Sequence, residues 1–129
     1  MRLLLDTHIL LWALADPRRL TDSVRDALEA DNEVLFSAAS VWEIAIKSQV
    51  LRAEFGVDAT AIIEAALETR FNELAISPEH AAAVAALPPH HRDPFDRLLV
   101  AQAFTEPARL VTADKALAAY SKDLVWLVA

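Results

Sequence analysis

Short apolar runs alternate with longer helical stretches along the whole chain, and this alternation restricts the fold more than any other feature of the sequence. The runs are Arg2–Leu5, Glu33–Ser37, Asn72–Ile76, Arg109–Thr112 and Leu124–Val128. An apolar run without strict polar alternation suits a strand buried on both faces, as in a parallel sheet. Helical signals lie between the runs. Thr21 is placed to cap a helix carrying Val24 and Leu28, and Ser40 to cap one through Val41, Ile44 and Ala45 towards Val50. Residues Val57 to Phe71 set Ile62, Ile63, Ala66 and Leu67 on one helical face, Ser77-Pro78-Glu79 opens a short helix ending at Leu87, and Asp93-Pro94 opens a long one through Ala103. A last helix carries Leu117 and Tyr120. The expected class is α/β: a five-stranded, mainly parallel sheet flanked by helices on both faces, forming a single domain over residues 1–129.

Composition removes several kinds of chemistry. The chain has no cysteine, which excludes thiol nucleophiles, thiolate metal sites and disulfides, and is compatible with a reducing cytoplasm. Gly56 is its single glycine, whereas phosphate-cradling and dinucleotide loops need several. No apolar stretch approaches the roughly 18 residues of a membrane span, and the N-terminal run, broken at Asp6, does not read as a signal peptide. The expected setting is the cytoplasm, with no membrane partner. The formal net charge of −7 opposes binding to a polyanion unless cations or local basic groups offset it.

Four acids share one kind of position. Asp6 directly follows the first strand, Asp114 lies two residues beyond the fourth, and Glu43 and Asp96 fall at the first turns of helices. In a parallel sheet, sites collect beyond the carboxyl ends of the strands, so topology alone brings these acids to one edge. Crowded carboxylates repel each other and call for a cation; an all-oxygen donor set suits Mg²⁺ or Mn²⁺. Plainer roles are open to each. Glu43 has capping-box spacing from Ser40, Asp93 followed by Pro94 is a good N-cap that leaves Asp96 at N3, and Asp114 can cap the segment after it. Asp6, ending a buried run, is the hardest to assign a purely structural role. Of the nearby polar residues, His91 and Arg92 can meet phosphate, Arg97 can do the same or pair with an acid, and the hydroxyls of Ser37 and Thr112 can hold a ligand carboxylate. Lys47 reads as an i,i+4 partner of Glu43, His8 as an exposed loop residue, and Trp12 and Trp42 as core or interface.

Four segments carry a family likeness: LLLDTHILLW at 3–12, SAASVWEIAIK at 37–47, HRDPFDRLLVAQA at 91–103 and LVTADKAL at 110–117. In that order and spacing the chain resembles PIN-domain proteins, and specifically the VapC-type toxins of type II toxin–antitoxin systems. The likeness runs nearly end to end. It implies a PIN-like fold and a metal-dependent ribonuclease that hydrolyses RNA phosphodiester bonds with a metal-activated water. It also implies a VapB-like antitoxin as partner and a homodimer. Carried over residue by residue, Asp6, Glu43, Asp96 and Asp114 form the acidic quartet that binds Mg²⁺ or Mn²⁺, with Glu43 as ligand or as orienter of the water. Asp93 is left as a supporting or alternate ligand. A receiver domain would need an aspartate ending the third strand, where Ser77 follows Ile76, and a haloacid-dehalogenase-type phosphatase one at the position of His8. The remaining alternative is a non-catalytic PIN-like protein-interaction module.

Overall fold

A computed structural model describes residues 1–121 and 123–128 of the chain. Its five strands are β1 (Arg2–Leu5), β2 (Glu33–Ser37), β3 (Asn72–Leu74), β4 (Arg109–Thr112) and β5 (Val125–Leu127). They form one sheet in the order β3-β2-β1-β4-β5, and every pairing is parallel. The α-helices are α1 (Thr7–Ala15), α2 (Asp22–Glu29), α3 (Ala38–Ile46), α4 (Ser48–Phe55), α5 (Ala59–Glu68), α6 (Pro78–Ala83) and α7 (Pro94–Thr105). Short 3₁₀ turns follow at Pro17–Arg19, Val84–Ala86 and Lys115–Ala119. None of the described helices is long and apolar enough to cross a membrane.

Successive side chains of a strand point to opposite faces, so the apolar runs feed two cores. Leu3, Leu5, Val34, Phe36 and Val111 pack with Ile9, Leu10 and Leu11 of α1, Val24 of α2, Ile44 of α3, and Ile62 and Ala66 of α5. Leu4, Leu35, Leu74, Leu110 and Val125 face the other way, onto Leu99, Val100 and Ala103 of α7 and onto Leu117. Helices therefore cover both faces, as the unbroken hydrophobicity of the central strands requires.

Several local boundaries differ from those the sequence suggests. Ser37 caps α3, its Oγ accepting the Ala39 N–H at 3.0 Å. Ser40 is instead a buried residue inside that helix, and Glu43 is not in the first turn. The capping-box reading of Ser40 and Glu43 thus gives way to a cap three residues earlier. The reason is that the strand ends directly in the cap. The Val57–Phe71 stretch is shorter than expected, with Asp58 capping α5 by accepting the Ala61 N–H at 2.9 Å. Segment 48–55 is a helix of its own, closed by Gly56 in the left-handed region at φ +73°. His8 lies in α1 rather than in a loop, exposed and edge-on to Trp12. The last connection is 3₁₀ rather than α-helical.

Two positions test the backbone directly. Nothing lies within 4 Å of a Cβ built on Gly56, so Gly56→Ala meets conformational strain alone. It should cost about 1 kcal/mol. Arg70 adopts the same region at φ 71° just after α5, and Arg70→Gly should gain about 1 kcal/mol by the same reasoning. Urea denaturation of the two variants checks both signs.

Candidate metal centre at the strand ends

Parallel pairing places the ends of β1, β2 and β4 side by side: Leu5 pairs with Phe36 and with Val111. Asp6 continues this ladder, its N–H donating to Val111 O at 3.0 Å, and then turns to cap α1 by accepting the Ile9 N–H at Oδ1, 2.9 Å. The other oxygen, Oδ2, accepts the Thr112 hydroxyl at the end of β4. Asp6 is buried, and desolvation pushes its carboxyl up from the ordinary aspartate value, against the lowering effect of the Thr112 and Ile9 hydrogen bonds.

Glu43 reaches the same edge from α3 and is only 5% exposed. Its Oε1 accepts the Thr7 hydroxyl at 2.6 Å, and its Oε2 accepts from Lys47 Nζ at 2.7 Å. The hydrogen bond to Glu43 also raises the pKa of Lys47. The Thr7 hydroxyl additionally lies 3.0 Å from Ser40 Oγ, so the residue after Asp6 ties α1 to α3. Thr7 escaped the sequence reading. Its only signal there was adjacency to Asp6.

The remaining acids come from the chain around α7 and from the loop after β4. Asp93 caps α7, its Oδ1 accepting the N–H groups of Phe95 at 2.9 Å and Asp96 at 3.3 Å. Asp96 stands in the first turn of α7, and its pKa is pushed up to about 7, first by burial and then by the negative charge of Asp93; Asp6 and Glu43 add to the rise and His91 opposes it. Asp114 Oδ1 accepts the Ala116 N–H at 2.9 Å, and its own N–H donates to Thr112 Oγ1 at 3.0 Å. His91 stands between the two acids, with Nε2 at 2.9 Å from Asp114 Oδ2 and 3.4 Å from Asp96 Oδ2. Ligand atoms of His91, Asp96 and Asp114 all lie within 4.8 Å of one another.

Other expected contributors are placed differently. Ser37 Oγ is spent on its helix cap and on Gln102 Oε1 at 2.6 Å, a bond that fastens α7 to the end of β2. Thr112, by contrast, touches Asp6 directly. Arg97 gives its donors to the carbonyls of Pro88 and Val84 and to Tyr120 Oη, which holds the 84–91 segment against α7. Arg92 is exposed beside Asp93, and Lys115 is exposed beside Asp114. Trp42 is 56% exposed and meets Phe95 edge-on, while Trp12 is half-buried beneath the Arg19 guanidinium.

An all-parallel α/β sheet with carboxylates gathered beyond its strand ends defines the class of this molecule. The chain belongs to the PIN-domain family, which it matches over residues 3–123. It is similar to ribonuclease VapC22 of Mycobacterium tuberculosis (strain ATCC 25618 / H37Rv), with 33% identity over 115 residues that cover 88% of each chain. The fold is shared with a chain of the crystal structure of VapBC2 from Rickettsia felis bound to a DNA fragment from their promoter, at TM-score 0.74, 17% identity and full coverage of both chains. It is also shared with a chain of FitAcB from Neisseria gonorrhoeae, at TM-score 0.62 and 19% identity over 96% of each.

Asp96 gives the cluster a pH signature. An unfolded aspartate titrates near 3.8, and the folded one near 7, so the folded chain binds this proton more tightly in between. The resulting stability is fully present below the lower value and lost as pH rises through the upper one. The raised Asp6 acts in the same direction. In EDTA the thermal midpoint should fall as pH rises across that window, and Asp96→Asn should flatten the fall. Calorimetric scans of both proteins over that range check it.

Proposed function

We propose that this chain is the ribonuclease toxin of a toxin–antitoxin pair, a Mg²⁺- or Mn²⁺-dependent hydrolase of RNA phosphodiester bonds acting in the cytoplasm. One observation carries the reading: Asp6, Glu43, Asp96 and Asp114 come from four separate segments to one sheet edge, where ligand atoms of His91, Asp96 and Asp114 lie within 4.8 Å of one another and Asp96 is driven up to about 7 by burial and neighbouring negative charge. Such crowding is costly in an isolated protein and fits a resident cation. The 33% identity to a ribonuclease supports the same chemistry.

The donor set suits a hard divalent cation, because it is made of carboxylate oxygens with no thiolate. In this reading Asp6, Asp96 and Asp114 hold the metal, and Glu43 either joins them or orients the attacking water. When bound, the cation supplies activation of that water and neutralises charge on the scissile phosphate. The chain's own residues do the rest. Thr112 and the Ile9 N–H fix Asp6, Thr7 and Lys47 fix Glu43 from two sides, and Asp93 holds the first turn of α7 that presents Asp96.

Basic side chains beside the edge offset part of its acidic charge. Arg2, Arg18, Arg19, Arg25 and Arg52 are paired with acids, whereas Arg92 and Lys115 stand exposed next to Asp93 and Asp114. Among the described residues, Arg92 and Lys115 are in place to meet RNA phosphates, while Lys47 is held by Glu43. A VapB-like antitoxin and a second copy of the chain are the proposed protein partners. The exposed Trp42, Ile46, Val50 and Leu67 offer apolar surface for such contacts.

Purified chain, free of any antitoxin, should cleave RNA with Mg²⁺ or Mn²⁺ and stop on addition of EDTA. Asp6→Asn should lower the rate by at least about a hundredfold while the protein stays folded. A wild type that binds metal yet leaves a broad RNA panel intact would favour the non-catalytic interaction module.

A further inference from the structure

His91 is the imidazole in contact with Asp96 and Asp114 of the strand-end cluster, and its two ring nitrogens do different things. Nδ1 accepts the backbone N–H of Asp93 at 3.0 Å. That nitrogen therefore carries a lone pair and no hydrogen, so the hydrogen of the neutral ring resides on Nε2. Nε2–H points at Asp114 Oδ2, 2.9 Å away, with Asp96 Oδ2 at 3.4 Å. A histidine that ligates a metal has the opposite polarity: one nitrogen bare towards the ion, the other donating its N–H to an acceptor. Here the second nitrogen faces a donor. The proximity of His91, Asp96 and Asp114 would suggest a mixed nitrogen–oxygen ligand set, and the hydrogen-bond directions argue against it.

The residue is also held in place from its backbone. The His91 N–H donates to Tyr120 Oη at 3.1 Å, and the His91 carbonyl accepts from Arg97 Nη1 at 3.4 Å. The Arg97 guanidinium donates in turn to Tyr120 Oη at 3.2 Å. The side chain is 17% exposed. Arg97 and Tyr120, neither of which touches an acid of the cluster by these bonds, thus set where the imidazole stands.

We propose that His91 is a positioning residue: its Nε2–H braces Asp114, in the loop after β4, against Asp96, on the first turn of α7, and so holds two mutually repelling carboxylates at the spacing a divalent cation needs. The inference rests on the metal reading of the cluster and adds to it that the metal's ligands are oxygens, with the nitrogen one shell out. Without the brace the two acids, which belong to different segments, separate under their own repulsion, and the cation must pay to bring them back.

Two substitutions split the ring's contacts. His91→Asn keeps an acceptor within reach of the Asp93 N–H but is too short to reach the carboxylates. His91→Gln places an N–H near the position of Nε2 and gives up the Nδ1 acceptor. Mn²⁺ is titrated into the full chain and both variants, followed by calorimetry and by electron paramagnetic resonance. His91→Asn should bind Mn²⁺ about tenfold or more weakly, with a thermal midpoint near wild type in EDTA. His91→Gln should recover much of that loss. In wild type the Mn²⁺ spectrum should carry no coupling from a directly bound imidazole ¹⁴N, a readout that depends on neither variant folding. Wild-type affinity in His91→Asn, or a directly coupled nitrogen in wild type, overturns the inference and leaves the metal site standing. A wild type that binds no Mn²⁺ overturns both.

Discussion

Strand β1 is hydrogen-bonded in parallel on both sides, to β2 and to β4, and the site depends on that register. Pairing Leu5 with Phe36 and with Val111 brings the ends of three strands level. The next residue on β1 is Asp6, the next on β2 is Ser37 capping α3, and the next on β4 is Thr112, which donates to Asp6. Slipping one strand by a residue would reverse its inward and outward faces and carry these groups away from the edge. The two apolar cores hold the register, because Leu3 and Leu5 belong to one and Leu4 to the other. Hydrophobic burial of about 1.5–3 kcal/mol per large side chain thereby fixes the position of an acid that is itself costly to bury.

Electrostatics at the edge works against the fold and towards binding. Desolvation raises Asp6, and burial with Asp93 raises Asp96. Two cationic or donor groups relieve part of this locally: Lys47 on Glu43, and the His91 N–H between Asp96 and Asp114. Protons relieve this strain, and a divalent cation bound among the same carboxylates would compete with them. A site of this kind holds its ligand through repulsion stored in the folded chain, and its hydrogen bonds to Thr7, Thr112 and backbone N–H groups keep the acids from turning away.

Much of this arrangement was legible in the sequence, and what was not has a physical cause. The central strands β1, β2 and β4 followed from their apolar runs, whereas β3 is polar and exposed at Asn72 and Glu73 and stops at Leu74, short of Ile76. The Asp93-Pro94 start of α7 followed from cap and N1 preferences acting within one turn. Asp6 and Asp114 could be placed at one edge because parallel topology alone decides it. Glu43 reached that edge from deeper in its helix than expected, since Ser37 rather than Ser40 caps α3. The Thr7–Glu43 and Ser37–Gln102 bonds span 36 and 65 residues of sequence, and no local pattern announces such pairs. Arg97 looked like a phosphate contact beside two acids, yet the chain folds the 84–91 carbonyls and Tyr120 onto it. Helix α4 was missed because the helix read from Ser40 ran on towards Val50 and absorbed its first turn; the break falls at Lys47, and Leu51 is the one buried residue of α4.

The account's central claim is that the acids at the ends of β1 and β4 and at the start of α7 share one divalent cation. Crystals of the chain grown with Mn²⁺ and measured at an X-ray energy where manganese scatters anomalously test this directly. The account predicts an anomalous peak within about 2.0–2.3 Å of carboxylate oxygens of Asp6, Asp96 and Asp114, typical of a hard cation on oxygen ligands. A fully occupied manganese elsewhere on the molecule, with these three acids unliganded, would contradict it.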